Sequence, residues 1–190
     1  MAGYTAGRRE PPVWLQRTIQ LIVDHWLLAF NAGVAVFATL PLLAPVLLAT
    51  GFTQLANVIY AAYSLTCHQM ASRAWHVMGH QMAYCERNTA IYFAMFLAGL
   101  AYARWRHTQP LDLRLFLLFI LPMAIDGFTQ LFGWRESTWY LRTLTGSLFG
   151  IATIWLIYPL LDRNMADLAD EMTAGPSGMH SRRQALGGPD

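Results

Sequence analysis

The sequence predicts an all-α integral membrane protein with about four transmembrane helices, an N-terminal interfacial amphipathic helix and a re-entrant or interfacial helix. Three observations carry the prediction. Apolar residues make up 55% of the 190-residue chain and charged residues only 13%, about half the roughly 25% usual in soluble globular proteins. So little charge would leave much of a water-soluble surface uncovered. Several apolar runs approach the ~20 residues that a helix needs to cross the hydrocarbon core. Trp26, Trp105, Trp134, Trp139 and Tyr140 fall near the ends of those runs, as an interfacial aromatic belt requires. The length suits one domain. A net charge of +2 with no basic stripe among the aromatics argues against a nucleic-acid partner. The expected partner is the lipid bilayer, with other membrane subunits as further candidates.

Residues 1–12 carry Arg8, Arg9, Glu10, Pro11 and Pro12 and read as a flexible N-terminus. In residues 13–25, VWLQRTIQLIVDH, apolar side chains recur at helical spacing with Arg17, Gln20 and Asp24 between them. This pattern predicts an amphipathic helix lying at the membrane surface. The transmembrane domain is expected over 26–161. Its first span, 26–50, has no charge and contains Pro41 and Pro45, which membrane helices tolerate where neighbours take up the freed backbone groups. The polar stretch before it does not resemble a cleavable signal, so this span is expected to stay as an anchor. Residues 52–64 are too short and polar to span and read as the re-entrant or interfacial helix. Further spans are expected at 89–105, 113–133 and 141–161. From residue 162 the chain turns polar, small and Gly/Pro-rich and reads as a disordered tail. Four spans put both termini on one side with nine arginines against four opposite. The positive-inside rule makes that side the cytoplasm, and the expected location is a bacterial inner (plasma) membrane.

Two segments place polar chemistry on the outer side, 66–92 and 124–146. Asp126, Thr129 and Gln130 stand at i, i+3 and i+4 and share one helix face. A charge at the centre of a span costs at least ~2.5 kcal/mol on insertion scales and faces protein or water. Asp126 therefore needs a cation, and Arg142, Arg135 and Arg87 are the candidates. Two readings follow. One is a structural ion pair stapling the third and fourth spans. The other is an outward-facing pocket built from His68, Gln69, Arg73, Arg87, Asp126, Thr129, Gln130, Arg135, Glu136 and Arg142, with Asp126 and His68 as catalytic candidates. Four arginines among so few polar groups favour an anionic ligand, such as a phosphate or carboxylate head group.

Cys67, His68, His76, His80 and Cys85 supply thiolate and imidazole, ligand types of zinc, copper and iron. Their spacing matches no standard zinc pattern. A Cys67–Cys85 disulfide, a metal or redox site, and unpaired packing cysteines all stay open at this point, and no cofactor is assigned. There is no GxSxG elbow, phosphate-cradling glycine loop, HExxH or dinucleotide fingerprint.

Cys67-His68-Gln69 with Ser72-Arg73, Gly79, Cys85-Glu86-Arg87 and Ala90-Ile91-Tyr92 form one ordered set of motifs. Pro122-Met-Ala-Ile-Asp126-Gly127-Phe-Thr129-Gln130, Gly133, Arg135-Glu136-Ser137, Leu141-Arg142 and Thr145-Gly146 continue it. In order and spacing, over about residues 65–150, the set resembles the family of small prokaryotic membrane proteins known as domain of unknown function 2085. The resemblance implies a multi-span membrane protein and no particular activity. The family pattern Cys-x-Arg-Cys is replaced here by Cys85-Glu86-Arg87-Asn88. That departure weighs against thiol chemistry and favours the Arg/Asp/Gln/Thr set. An accessory subunit of a larger membrane complex and a Cys/His metal or redox protein are the alternative functions.

Overall fold

The computed structural model describes the backbone of residues 12–185 and the side chains of residues 12–170. The flexible N-terminus expected before Pro12 and the last five residues of the expected tail lie outside the described residues. Chain order is α1 (Val13–Ala49), α2 (Thr53–Ser64), a 3₁₀ turn (Ala71–Arg73), strands β1 (His76–Val77) and β2 (His80–Gln81), α3 (Glu86–Arg104), α4 (Leu113–Leu131) and α5 (Trp139–Ala185). The chain is an all-α membrane protein with one small hairpin.

Two expectations change. The amphipathic segment and the first span are one 37-residue helix, α1; no glycine or proline interrupts residues 13–32. The segment from residue 162, expected as disordered, is helical through Ala185. Its first part, Asn164-Met-Ala-Asp-Leu-Ala-Asp170, includes good helix formers and elongates a helix already nucleated. Three helices are long and apolar enough by themselves to cross a membrane: α1, α4, and α5 over Trp139–Asp170. The 19-residue α3, the remaining expected span, is less apolar because it opens on Glu-Arg-Asn-Thr and is rich in alanine.

Residues 28–160 form one compact unit, and the described residues on either side of it, up to 27 and from 161, belong to another. In the second unit Trp26 and Asp162 are buried.

Prolines direct the packing. A helical proline removes the N–H that would bond the carbonyl four residues back. Pro41 thereby frees the Phe37 carbonyl, which accepts from the Tyr63 hydroxyl of α2 at 3.2 Å. Pro45 frees the Pro41 carbonyl, which accepts from the Ala83 N–H at 3.3 Å. Pro159 frees the Trp155 carbonyl, which accepts from the Leu111 N–H at 3.0 Å. Each interruption is thus met by a donor from another part of the chain. Around the first, Phe37, Tyr63, Tyr84 and Tyr92 form an aromatic cluster in which Tyr84 and Tyr92 stack at 5.2 Å.

Glycines set how closely α5 meets α3. A Cβ on Gly146 would lie 2.7 Å from the Arg87 carbonyl oxygen, and one on Gly150 2.5 Å from that of Ile91. Only glycine permits this approach, a small-xxx-small contact of the kind membrane helices use. Farther along, Asn31 of α1 donates to the Gly99 carbonyl at 3.2 Å and accepts from the Tyr158 hydroxyl at 3.2 Å, tying α1, α3 and α5 by a buried polar link. In contrast, only 6% of the apolar window of α4 is buried.

Candidate functional site

The close α3–α5 approach places Arg142, one turn before Gly146, against Glu86, one turn before Ala90. Arg142 Nη1 donates to Glu86 Oε2 at 2.9 Å and Nη2 to the Ser137 carbonyl at 2.5 Å. All three residues are buried. Beside them lies Asp126 of α4, 2% exposed. Its Oδ2 accepts from Arg87 Nη2 at 2.5 Å and from the Ser137 hydroxyl at 2.7 Å, and its Oδ1 accepts from Arg135 Nη2 at 2.5 Å. Arg135 Nε also donates to the Thr129 hydroxyl at 3.1 Å, which itself donates to the Ile125 carbonyl at 2.8 Å. The expected neutralisation of Asp126 therefore falls to Arg87 and Arg135 together. Arg142, the third candidate, serves Glu86 instead.

A cavity of about 420 Å³ adjoins this cluster. Its wall is Thr66, Cys67, His68, Gln69, Met70, Arg73, Cys85, Arg87, Asn88, Gln130, Leu131 and Arg142. Of the expected ligand-binding set, His68, Gln69, Arg73, Arg87, Gln130 and Arg142 are brought together here, while Asp126, Thr129, Arg135 and Glu136 are not on the wall. Glu136 is exposed and reaches only Arg73, at 4.0 Å. The expected Asp126–His68 catalytic pair does not form a joint site, because only His68 lines the cavity. Gln69 is a brace: its φ is +50°, and its side-chain amide donates to the Tyr60 carbonyl at 2.7 Å and the Ala83 carbonyl at 3.2 Å. Gln130, in the amide orientation that satisfies both its atoms, accepts from Arg142 Nη2 at 3.1 Å and from Arg73 Nη2 and Nε at 3.3 Å each.

Glu86 and Ser137 belong to the cluster and were not among the expected site residues. Their signal was present: Glu86 stands between Cys85 and Arg87, and Ser137 follows Arg135-Glu136 in the motif. A carboxylate at the first helical position reads as solvent-facing from sequence, however, since acids favour helix N-termini anyway.

The five candidate metal ligands separate. His76 and His80 stand exposed on the β1–β2 hairpin, whose two-residue turn places Met78 at φ +53° and Gly79 at φ +81°, as a type I′ turn requires. Among the described residues no three His, Cys, Asp or Glu side chains could together hold a metal ion. Cys67 and Cys85 remain together as free thiols, and the Cys85 N–H donates to Cys67 Sγ at 3.2 Å. The hydrogen bond from the Cys85 thiol, with backbone N–H groups of Gln69 and Cys85 and the nearby His68, outweighs burial and lowers the Cys67 thiol to about 6. The same thiol contact, with burial, pushes Cys85 up.

Fold and geometry define an all-α membrane protein in which buried ion pairs back an arginine-lined cavity. The family model described as "Predicted membrane protein (DUF2085)" matches residues 67–156, a span that holds this whole cluster, and the chain belongs to that family. An uncharacterised protein of Methanocaldococcus jannaschii is 36% identical over 105 residues, 54% of this chain and 67% of the relative. An uncharacterised protein of Methanothermobacter thermautotrophicus is 38% identical over 90 residues, 45% of this chain and 78% of the relative. Both relatives are archaeal, whereas the sequence reading expects a bacterial protein. No solved structure matches the chain.

Proposed function

We propose that this is a multi-pass membrane protein that binds an anion, a phosphate or carboxylate head group, in the arginine-lined cavity. One observation carries the reading: the cavity wall has three arginines, Arg73, Arg87 and Arg142, and no carboxylate. Asp126 and Glu86 hold Arg87 and Arg142 from behind, orienting the guanidinium groups while leaving the wall itself cationic. Arg87 and Arg142 each keep an Nε–H with no partner among the described residues. Planar guanidinium groups in such a set suit the oxygens of phosphate or carboxylate. In this arrangement Asp126 is a clip that positions Arg87, and the pocket is a separate feature beside it. The clip and pocket readings thus apply to different residues of one cluster.

The test uses purified full-length protein in detergent with inorganic phosphate and, separately, a short-chain phosphatidic acid, followed by calorimetry. Saturable binding of either probe supports the site. Tighter binding of the lipid identifies a head group as the ligand; equal binding identifies the free anion. Arg73→Gln, which removes a partly exposed wall cation, is expected to weaken binding at least ~10-fold, about 1.4 kcal/mol, while Arg114→Gln, exposed and off the wall, keeps it within about threefold. No binding of either probe to the wild-type chain overturns the reading.

A second reading, an accessory subunit of a larger membrane complex, draws on the bareness of α4. Gentle solubilisation of native membranes tests it: a partner that remains bound, and that a polar substitution at Leu118 of α4 releases, supports it. Elution of the chain always alone counts against it.

A further inference from the structure

We propose that Cys67 and Cys85 form a reversible dithiol–disulfide couple that exchanges with a low-molecular-weight disulfide entering the cavity. The couple stands on the geometry of the two sulfurs, independently of the anion reading. The residues are 18 apart in sequence, yet the Cys85 N–H donates to Cys67 Sγ at 3.2 Å. Both residues line the cavity, so an incoming sulfur has a path to them. Cys85 is also the N-cap of the 19-residue α3, whose N-terminal partial positive charge favours a thiolate beside it. From that helix end the Cys85 N–H donates to the Cys67 sulfur, and the groups around Cys67 lower its thiol. This makes Cys67 the attacking thiolate and Cys85 the resolving thiol.

The exchange balances without a further reagent. The Cys67 thiolate attacks one sulfur of the incoming disulfide; the S–S bond breaks and one thiolate leaves, which takes the proton that Cys85 gives up. The Cys85 thiolate then attacks Cys67 Sγ in the mixed disulfide, forming the Cys67–Cys85 bond and expelling the second thiolate, which is protonated from solvent. Two electrons pass from the protein dithiol to the small disulfide, and excess small thiol reverses the reaction.

The chain has only two cysteines, which makes the readout unambiguous. Full-length protein in detergent is equilibrated with mixtures of oxidised and reduced glutathione, quenched with an alkylating reagent and weighed intact. The expected result is joint loss of both free thiols, without retained glutathione, fully reversed by dithiothreitol. Cys85→Ser is expected to trap glutathione on Cys67 at least ~10-fold faster than Cys67→Ser traps it on Cys85. A wild-type measurement guards against variants that misfold. The rate of alkylation at the first thiol should hold nearly constant from pH 9 down to about 6, where an ordinary thiol slows about tenfold per pH unit below ~8.5. Thiols that stay reduced in excess oxidised glutathione, faster trapping on Cys85, or an ordinary pH profile overturns the proposal.

Discussion

Asp126 engages both carboxylate oxygens with three side-chain donors, Arg87, Arg135 and Ser137. Breaking a buried pair by removing one partner leaves the other charge uncompensated, a loss of about 3–5 kcal/mol. Asp126→Ala should therefore lower the thermal midpoint in detergent sharply, whereas Glu136→Ala, at an exposed side chain, should cost less than about 0.5 kcal/mol. Equal midpoints for the two variants would refute the clip. The need of Asp126 for a cation was legible from its place in an apolar run. Which arginines meet it was not, because the Arg87–Asp126 pair closes across 39 residues and the Arg142–Glu86 pair across 56. Helical spacing speaks only for neighbours three and four apart. The same limit hid the approach of Cys67 to Cys85: their separation in sequence suited a disulfide, a metal site or packing equally well.

At the scale of the elements, the α3–α5 approach holds the ion pair in register. Gly150→Leu would push a side chain into the Ile91 carbonyl, where even a Cβ sits at 2.5 Å. Overpacking of this kind costs about 1–3 kcal/mol, and the displaced α5 should also carry Arg142 away from Glu86. The expected signature is weakened phosphate binding together with a lower thermal midpoint, although residue 150 lies off the cavity wall. Unchanged phosphate binding in a destabilised Gly150→Leu would separate the helix contact from the pocket. Hydropathy found α1, α4 and α5, since lipid-facing helices declare themselves by apolarity. It speaks less clearly for α3, whose alanines, one glycine and polar first turn pack against neighbouring helices. It also missed the helix beyond residue 162, because composition alone does not register elongation from an apolar span.

At the scale of the whole molecule, the topology expected from the sequence has α3 crossing as a fourth span, with both termini cytoplasmic. A helix of 19 residues is about 28 Å long, close to the ~30 Å hydrocarbon core, and its polar first turn is neutralised within the α3–α4–α5 cluster. Reporter fusions after Gln109 and at the C-terminus should give the same cytoplasmic signal, and an insertion at the Met78–Gly79 turn the opposite one. The same signal from the Met78–Gly79 insertion and the Gln109 fusion would leave α3 on one side and reduce the spans to three.

The proline-freed carbonyls of α1 also bear on how the chain is made. Membrane proteins emerge N-terminus first, so α1 enters the bilayer with the Phe37 and Pro41 carbonyls still without their later partners, Tyr63 and Ala83. An unmatched carbonyl in hydrocarbon costs several kcal/mol. The first helix is therefore unfinished when synthesised, and its completion depends on the arrival of α2 and the segment after the hairpin. The stretch joining those segments carries Cys67, His68, Gln69 and Arg73 of the cavity wall, so maturation of the first helix brings one side of the pocket into place before α4 and α5 supply the other.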